Sequence, residues 1–175
     1  ASTCLGSSEA KLDEMCLAYS CFATGGKRPA KMHLIQRVSD ANDKTVFQLD
    51  ESSLQTVRAM DEISAWQTHT CLDEALHRGT GAISHGYGLG EFPAAGKTGT
   101  HHEYKDLWFL GYTSSVTCGV WVGFDRQKTI YPEAFSNKVA LPIWTDIINA
   151  SAKGHTAQEF TPPESADKVE VCRSS

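Results

Sequence analysis

Residues 107–124 run for 18 positions without a charge. A membrane span needs about 20 predominantly apolar residues, so the stretch has to be weighed as one. Its middle argues against that, because Thr113, Ser114, Ser115 and Thr117 sit where a span should be most apolar. Those residues instead suit a turn between two strands. Residues 107–112 and 117–124 are rich in aromatic and β-branched side chains, as buried strands are. Together with the strand-like run that begins at Ala94, they predict a three-stranded antiparallel meander. The expected fold class is α/β in the α+β sense, an antiparallel sheet with flanking helices.

The rest of the chain supplies the helices. Leu12, Met15, Cys16, Tyr19, Phe22 and Ala23 recur at helical spacing, and Gly25-Gly26 follows where a left-handed cap is wanted. Residues 33–38 and 45–49 read as a hairpin around the turn-forming Asp40-Ala41-Asn42-Asp43. Ser64 is the expected N-cap of a second helix through Trp66, His69, Leu72 and Leu76, which Gly79-Thr80-Gly81 ends. Gly79, Gly81, Gly86, Gly88 and Gly90 then predict a loose, mobile segment. A last helix over residues 141–150, opened by Pro142, is expected to lay Ile143, Ile147 and Ala150 on the sheet. Pro162-Pro163 discourages helix beyond Phe160, and residues 169–171 are the only strand-like piece there. The compact part is placed at residues 1–150 and an extended tail at residues 151–175. No internal repeat is present.

The net charge of −5, from 16 basic and 21 acidic residues, shows no basic surplus of the kind that binds nucleic acid. The six cysteines contain no CxxC pair, so neither a zinc site nor a redox motif is expected. Small buried thiols are the simplest expectation for them. There is no positively charged start followed by an apolar core, the mark of an export signal, which would mean little if the front of the chain had been removed.

Ala95-Gly96-Lys97-Thr98-Gly99-Thr100 is the most informative hexapeptide. In a strand, side chains alternate between faces, so Lys97 and Gly99 fall on one face and Thr98 and Thr100 on the other. An edge strand with so little bulk lets a substrate backbone come close and pair. The rival motif is the phosphate-binding P-loop, GxxxxGK followed by Ser or Thr. Gly90 and Gly96 are separated by five positions rather than four, Glu91 would oppose a phosphate, and no helix follows Thr98.

Four motifs stand in order: residues 94–100, then Asp106-Leu107-Trp108-Phe109-Leu110-Gly111-Tyr112-Thr113, then Gly119-Val120-Trp121-Val122-Gly123-Phe124-Asp125, then Ala140-Leu141-Pro142-Ile143-Trp144. Upstream lie Leu5-Gly6-Ser7-Ser8, Glu14-Met15, Ala18-Tyr19, Phe22-Ala23, Gly25-Gly26 and Gly79-Thr80-Gly81. The series resembles the C-terminal half of the transpeptidase domain of class A penicillin-binding proteins, over most of residues 5–150. In that family, SxxK carries the nucleophile, SxN a proton-shuttling serine, and KTG lines the opposite wall. Only the third is matched. Ser8-Glu9-Ala10-Lys11 spells SxxK but coincides with the family's stretch after SxN, and no S-x-N triplet occurs. The expectation is that residue 1 begins just beyond the second motif, so that the nucleophile lies outside the chain.

The resemblance implies a partial penicillin-binding transpeptidase (β-lactamase-like) fold lacking its N-terminal part. It implies that Lys97 supplies positive potential for the terminal carboxylate of a stem peptide or a β-lactam, and that Thr98 and Thr100 offer it hydroxyls. The N–H of Thr100 resembles one of two oxyanion-hole donors, and Gly99 keeps room for the acyl group. The catalytic candidates are thus Lys97 and Thr100, and the substrate-binding candidates Lys97, Thr98, Gly99 and Thr100. No metal or organic cofactor is implied. The implied activity of the parent is D,D-transpeptidation of peptidoglycan through an acyl-serine, on the outer, periplasmic face of the inner membrane, with this chain inactive alone. A missing neighbour beside residues 117–124 would leave an open sheet edge and favour self-association. The alternatives are a non-catalytic carboxylate- or peptide-binding module of the same fold, a β-lactamase, and an unrelated nucleotide-binding protein. Trp108 and Trp121 are expected in the core, whereas His101, His102 and Tyr104 fit a solvated turn beside the cleft.

Overall fold

The structure is a computed structural model that describes residues 8–167 and residue 169. Leu5-Gly6-Ser7, Cys4, Cys172 and most of the strand-like piece at 169–171 lie outside the described residues. Helix α1, Leu12–Ala23, opens with a capping box in which Glu14 accepts from the N–H of Lys11 at 3.4 Å. It ends as expected: Gly25 and Gly26 have φ of 61° and 88°, and the N–H of Gly26 reaches back to the carbonyl of Cys21 at 2.7 Å. A Cβ on Gly26 would collide with the carbonyl of Met60. The glycine is therefore needed for its space as well as its torsion.

Strand β1, Lys27–Pro29, leads out to a hairpin of β2, Arg37–Ser39, and β3, Thr45–Gln48; strand β4, Thr56–Arg58, returns to pair with β1. The turn is held by Asp40, whose carboxylate accepts from the N–H groups of Asn42 and Lys44 at 2.8 and 3.0 Å. The strands are shorter than residues 33–38 and 45–49 predict. Every residue of β2 and β3 is exposed, so no buried face extends the pairing beyond what the turn enforces.

Helix α2, Glu62–His77, is capped by Asp61 rather than Ser64: the Asp61 carboxylate accepts from the N–H of Ser64 at 2.8 Å. Ser64 is thus the third helical residue. The glycine-rich segment after it is also more ordered than expected, with a 3-10 helix over Ala82–Tyr87. His77 bonds to its middle and to the chain beyond it. Its Nε2 donates to the carbonyl of Ala94 at 3.1 Å, which leaves Nδ1 to face His85 Nε2 at 3.1 Å. Asn149 adds bonds to the N–H of Gly90 and the carbonyl of Gly88, both 2.9 Å.

The sheet is the predicted antiparallel meander, β5-β6-β7, with β5 at Ala95–Thr100, β6 at Asp106–Tyr112 and β7 at Thr117–Gly123. Helix α3, Ser136–Ala152, covers one face of it. It starts five residues before the expected 141, so Pro142 sits inside the helix rather than at its opening. The carbonyl that Pro142 cannot serve belongs to exposed Lys138, where solvent can take the missing N–H's place. The buried stripe is Ala140, Leu141, Trp144, Thr145 and Ile148. Ile143 and Ile147, expected on the sheet, are each 43% exposed. Trp144 packs on Phe109 of β6 at 4.7 Å between ring centroids with the planes tilted by 51°, and both are fully buried. Burying an aromatic of this size stabilises by roughly 1.5–3 kcal/mol.

On the other face α1 packs against β7 and β6, with Leu12 and Cys16 against Gly119. A second small core gathers Leu72, Ala95 and Tyr112 with Tyr19 and Phe22. After α3 the chain folds back: Ser115 Oγ donates to the carbonyl of Thr156, Ser114 Oγ accepts from the N–H of Gln158, and Phe160 lies 4.2 Å from the His69 ring. Of the described cysteines Cys21 is buried, Cys16 and Cys118 partly so, and Cys71 is exposed, so the expectation of buried thiols fails at Cys71. No helix among the described residues is long and apolar enough to cross a membrane.

Candidate functional site

Among the described residues β5 is an outer strand of the sheet, hydrogen-bonded on one side only, to β6. Its pairing fixes both faces and the free edge. Lys97 stands opposite Leu110, Thr98 opposite Phe109, Gly99 opposite Trp108 and Thr100 opposite Leu107. The N–H of His101 bonds to the carbonyl of Asp106 directly across from it, at 2.8 Å. Antiparallel pairs alternate between bonded and non-bonded. Thr100 and Thr98 are therefore non-bonded pairs, whose N–H and C=O groups point away from β6 to the open edge.

The side chains converge on that edge. Lys97 Nζ lies 3.1 Å from both the carbonyl and the hydroxyl of Thr98, and 3.4 Å from the hydroxyl of Thr80. The hydroxyls of Thr80 and Thr98 are 2.7 Å apart. Lys97 has no carboxylate partner among the described residues. Partial loss of water around the ammonium lowers its pKa from the ordinary lysine value. An accessible cation with no carboxylate partner among the described residues, flanked by two hydroxyls on a strand with outward N–H groups, is an anion-receiving arrangement.

Thr100 is held from behind. Its hydroxyl is 2.7 Å from Ser136 Oγ and accepts from the Ser136 N–H at 3.2 Å, while Ser136 Oγ donates to the carbonyl of Gly99. Ser136, fully buried in the first turn of α3, thus grips two consecutive residues of the KTGT strand. Gly99 has a close neighbour on its own face: a Cβ there would lie 3.2 Å from Cβ of Trp108. Beyond it stands Trp121, 6.3 Å from Trp108 between ring centroids, its indole N–H bonded to Asp106 at 3.0 Å. Both tryptophans were expected in the core. Trp121 is 36% exposed and Trp108 only partly buried, so that expectation fails.

Sequence reasoning thus named the four strand residues and missed two neighbours. Thr80 enters the sequence reading as part of a helix-ending Gly-Thr-Gly turn and of the family's motif series, with no role in the site, and Ser136 lies before the helix expected from residue 141. A hydroxyl inside a Gly-Thr-Gly turn was the available signal for Thr80; nothing local marked Ser136. Ser8 and Lys11 are exposed at the approach to α1. Among the described residues no group of three or more His, Cys, Asp or Glu side chains is placed to hold a metal ion.

No family model matches the chain. Penicillin-binding protein 1A of Rickettsia typhi is 33% identical over 189 aligned positions, covering 97% of this chain and 24% of that protein. The chain is homologous to part of penicillin-binding protein 1A. The protein of the same name from Neisseria gonorrhoeae is 30% identical, over 93% of this chain and 20% of its own length. The chain therefore spans about a quarter of the curated relatives it matches. Among solved structures, penicillin-binding protein 1A of Haemophilus influenzae superimposes with a TM-score of 0.79 at 20% identity, over 93% of this chain and 29% of that one. A penicillin-binding protein of Mycobacterium tuberculosis gives 0.68 at 22% identity, over 94% and 47%. The fold is part of the penicillin-binding transpeptidase fold, as the sequence motifs led one to expect.

Proposed function

We propose that this stretch forms the KTGT wall of a peptidoglycan transpeptidase site whose serine nucleophile lies outside the chain. Lys97 attracts the terminal carboxylate of a D-Ala-D-Ala stem peptide or of a β-lactam, and Thr98 with Thr80 donates hydroxyl hydrogen bonds to it. The Thr100 N–H serves as one oxyanion donor, worth about 3 kcal/mol of barrier in such sites. Lys97 and Thr100 are then the catalytic residues of this wall, and Gly99 leaves room for the acyl group. The carrying observation is that the Lys97 ammonium, without a carboxylate partner among the described residues and held at the hydroxyls of Thr98 and Thr80, shares an outer strand with the outward amide of Thr100. The enclosing protein would cross-link stem peptides through an acyl-serine on the outer face of the inner membrane. The same proposal keeps residues 1–150 as the transpeptidase portion, residues 151–175 as the segment that follows it, whose stretch at residues 156–160 packs back on the domain, and self-association through the outer edge of β7.

A non-catalytic carboxylate- or peptide-binding module of the same fold is the second reading, which the Lys97, Thr98 and Thr80 cluster would serve without any nucleophile. Two measurements separate the possibilities. Intact-mass spectrometry after excess benzylpenicillin is expected to show no added mass on this chain; an adduct on Ser8 would overturn the assignment of the nucleophile elsewhere. Isothermal titration with D-Ala-D-Ala is expected to show weak binding that Lys97→Ala abolishes. Unchanged affinity in that variant would remove Lys97 from the site.

A further inference from the structure

Two imidazoles outside the KTGT strand face each other. His77 is the last residue of α2 and His85 lies in the 3-10 helix over Ala82–Tyr87, and His77 Nδ1 stands 3.1 Å from His85 Nε2. The other nitrogen of His77 sets its tautomer. Nε2 lies 3.1 Å from the carbonyl of Ala94, and a carbonyl can only accept, so Nε2 carries the proton. In the neutral ring Nδ1 therefore presents a lone pair to His85. A carboxylate oxygen of Asp73 stands 3.6 Å from the same Nε2.

Histidines that bind metals are held in this way. Their distal N–H donates to a backbone carbonyl or a carboxylate, which fixes the ring and raises the basicity of the free nitrogen. The separation of the facing nitrogens is also suitable. Two imidazole nitrogens bound to one ion at about 2.0–2.1 Å lie about 2.9 Å apart at a right angle and about 3.3 Å apart at the tetrahedral angle. The observed 3.1 Å falls between these values. In the free protein the contact is a hydrogen bond from His85 Nε2–H to His77 Nδ1. His85 is exposed, so solvent can carry that proton round to its Nδ1 and leave Nε2 as a second ligand.

We propose that His77 Nδ1 and His85 Nε2 form a two-histidine site for a divalent transition-metal ion of the nickel, copper and zinc class. Imidazole suits these ions, whereas magnesium and calcium require oxygen ligands. No third His, Cys, Asp or Glu among the described residues joins the pair, so water completes the coordination sphere. With half the protein ligands of a closed structural site, the dissociation constant is on the order of 10 μM. The ion ties the end of α2 to the glycine-rich segment three residues before Thr80. The proposal does not depend on the transpeptidase assignment, because neither histidine belongs to the KTGT strand.

The test is an NMR titration of the chain with nickel(II) chloride, paired with calorimetry. Substoichiometric nickel is expected to broaden the ring signals of His77 and His85 before those of His33, His101, His102 and His155. Magnesium chloride at the same concentration should broaden nothing. His85→Gln, at an exposed position, is expected to melt as the parent does and to weaken nickel binding at least tenfold, and His77→Gln should weaken it likewise. The double variant His101→Gln, His102→Gln should bind nickel as the parent does. Absence of saturable binding, broadening centred on His101 and His102 or on Cys71, or an unchanged dissociation constant in His85→Gln would overturn the proposal and leave the contact a hydrogen bond alone.

Discussion

The hydroxyls of Thr80 and Thr98 meet at 2.7 Å across the seam between the end of α2 and strand β5. Thr80 also lies 3.4 Å from Lys97 Nζ, so one turn residue helps set both the cation and the hydroxyl of the KTGT strand. His77, three residues earlier, ties the end of α2 to the carbonyl of Ala94, just before β5.

Replacing Thr80 with Val keeps the shape and removes both contacts. The exposed setting limits the cost to about 0.5–1 kcal/mol in urea unfolding. The larger effect is expected on ligand binding: Thr80→Val should weaken D-Ala-D-Ala binding while the urea midpoint moves little. Equal affinity in the two proteins would separate Thr80 from the site.

Ser136→Ala should be costlier. It removes the Oγ that bonds the carbonyl of Gly99 and the hydroxyl of Thr100 and leaves only the Ser136 N–H on that hydroxyl, which predicts a loss of roughly 1–3 kcal/mol. Amide exchange at Thr100 is expected to quicken more than at Val120, in the middle of the sheet. Uniform quickening would point to global destabilisation instead.

Gly111 faces the Trp144 indole so closely that an added Cβ would sit 2.6 Å from Cζ2 and 2.9 Å from the carbonyl of Ala95. Neither neighbour has room to move, one being a fully buried ring and the other backbone. Gly111→Ala is expected to cost about 1–3 kcal/mol by overpacking. A melting temperature within a degree of the parent's would contradict this packing.

His69 makes stability depend on pH. Burial lowers its pKa below the ordinary value of 6.5, with Asp73 opposing. The unfolded chain then holds more protons than the folded one between the two pKa values, so stability rises with pH through that window and levels off above about 6.5. In urea unfolding followed from acid to neutral pH, His69→Gln should flatten the slope. An unchanged slope would assign it to other groups.

The outer edge of β7 has no paired strand among the described residues. Open edges recruit partners. Sedimentation at rising concentration is expected to show a dimer, and Trp121→Lys, which places a charge on that strand, should shift it toward monomer. A monomer at every concentration would contradict the proposal.

Much of this architecture was legible because its signals are local. The stop of α1 at Gly25-Gly26, the split of residues 107–124 into two strands and the alternation of Lys97, Thr98, Gly99 and Thr100 follow from torsional preference and a period of two. Misjudged features were those where local signals compete. Asp61 and Ser64 are both good caps, and only the chain's path chose between them. Pro142 reads as a helix opener, yet buried Trp144 and Ile148 stabilise a helix that runs through it.

What the sequence alone determined was the strand that carries Lys97 and Thr100 and the family to which its motifs point. Tertiary structure decided which groups stand around that strand. Thr80 lies 17 positions before Lys97 and Ser136 lies 36 after Thr100, and no periodicity relates residues so far apart. Their meeting depends on α2 and α3 each burying one stripe against the sheet, and burial is a property of the whole packed chain rather than of any segment.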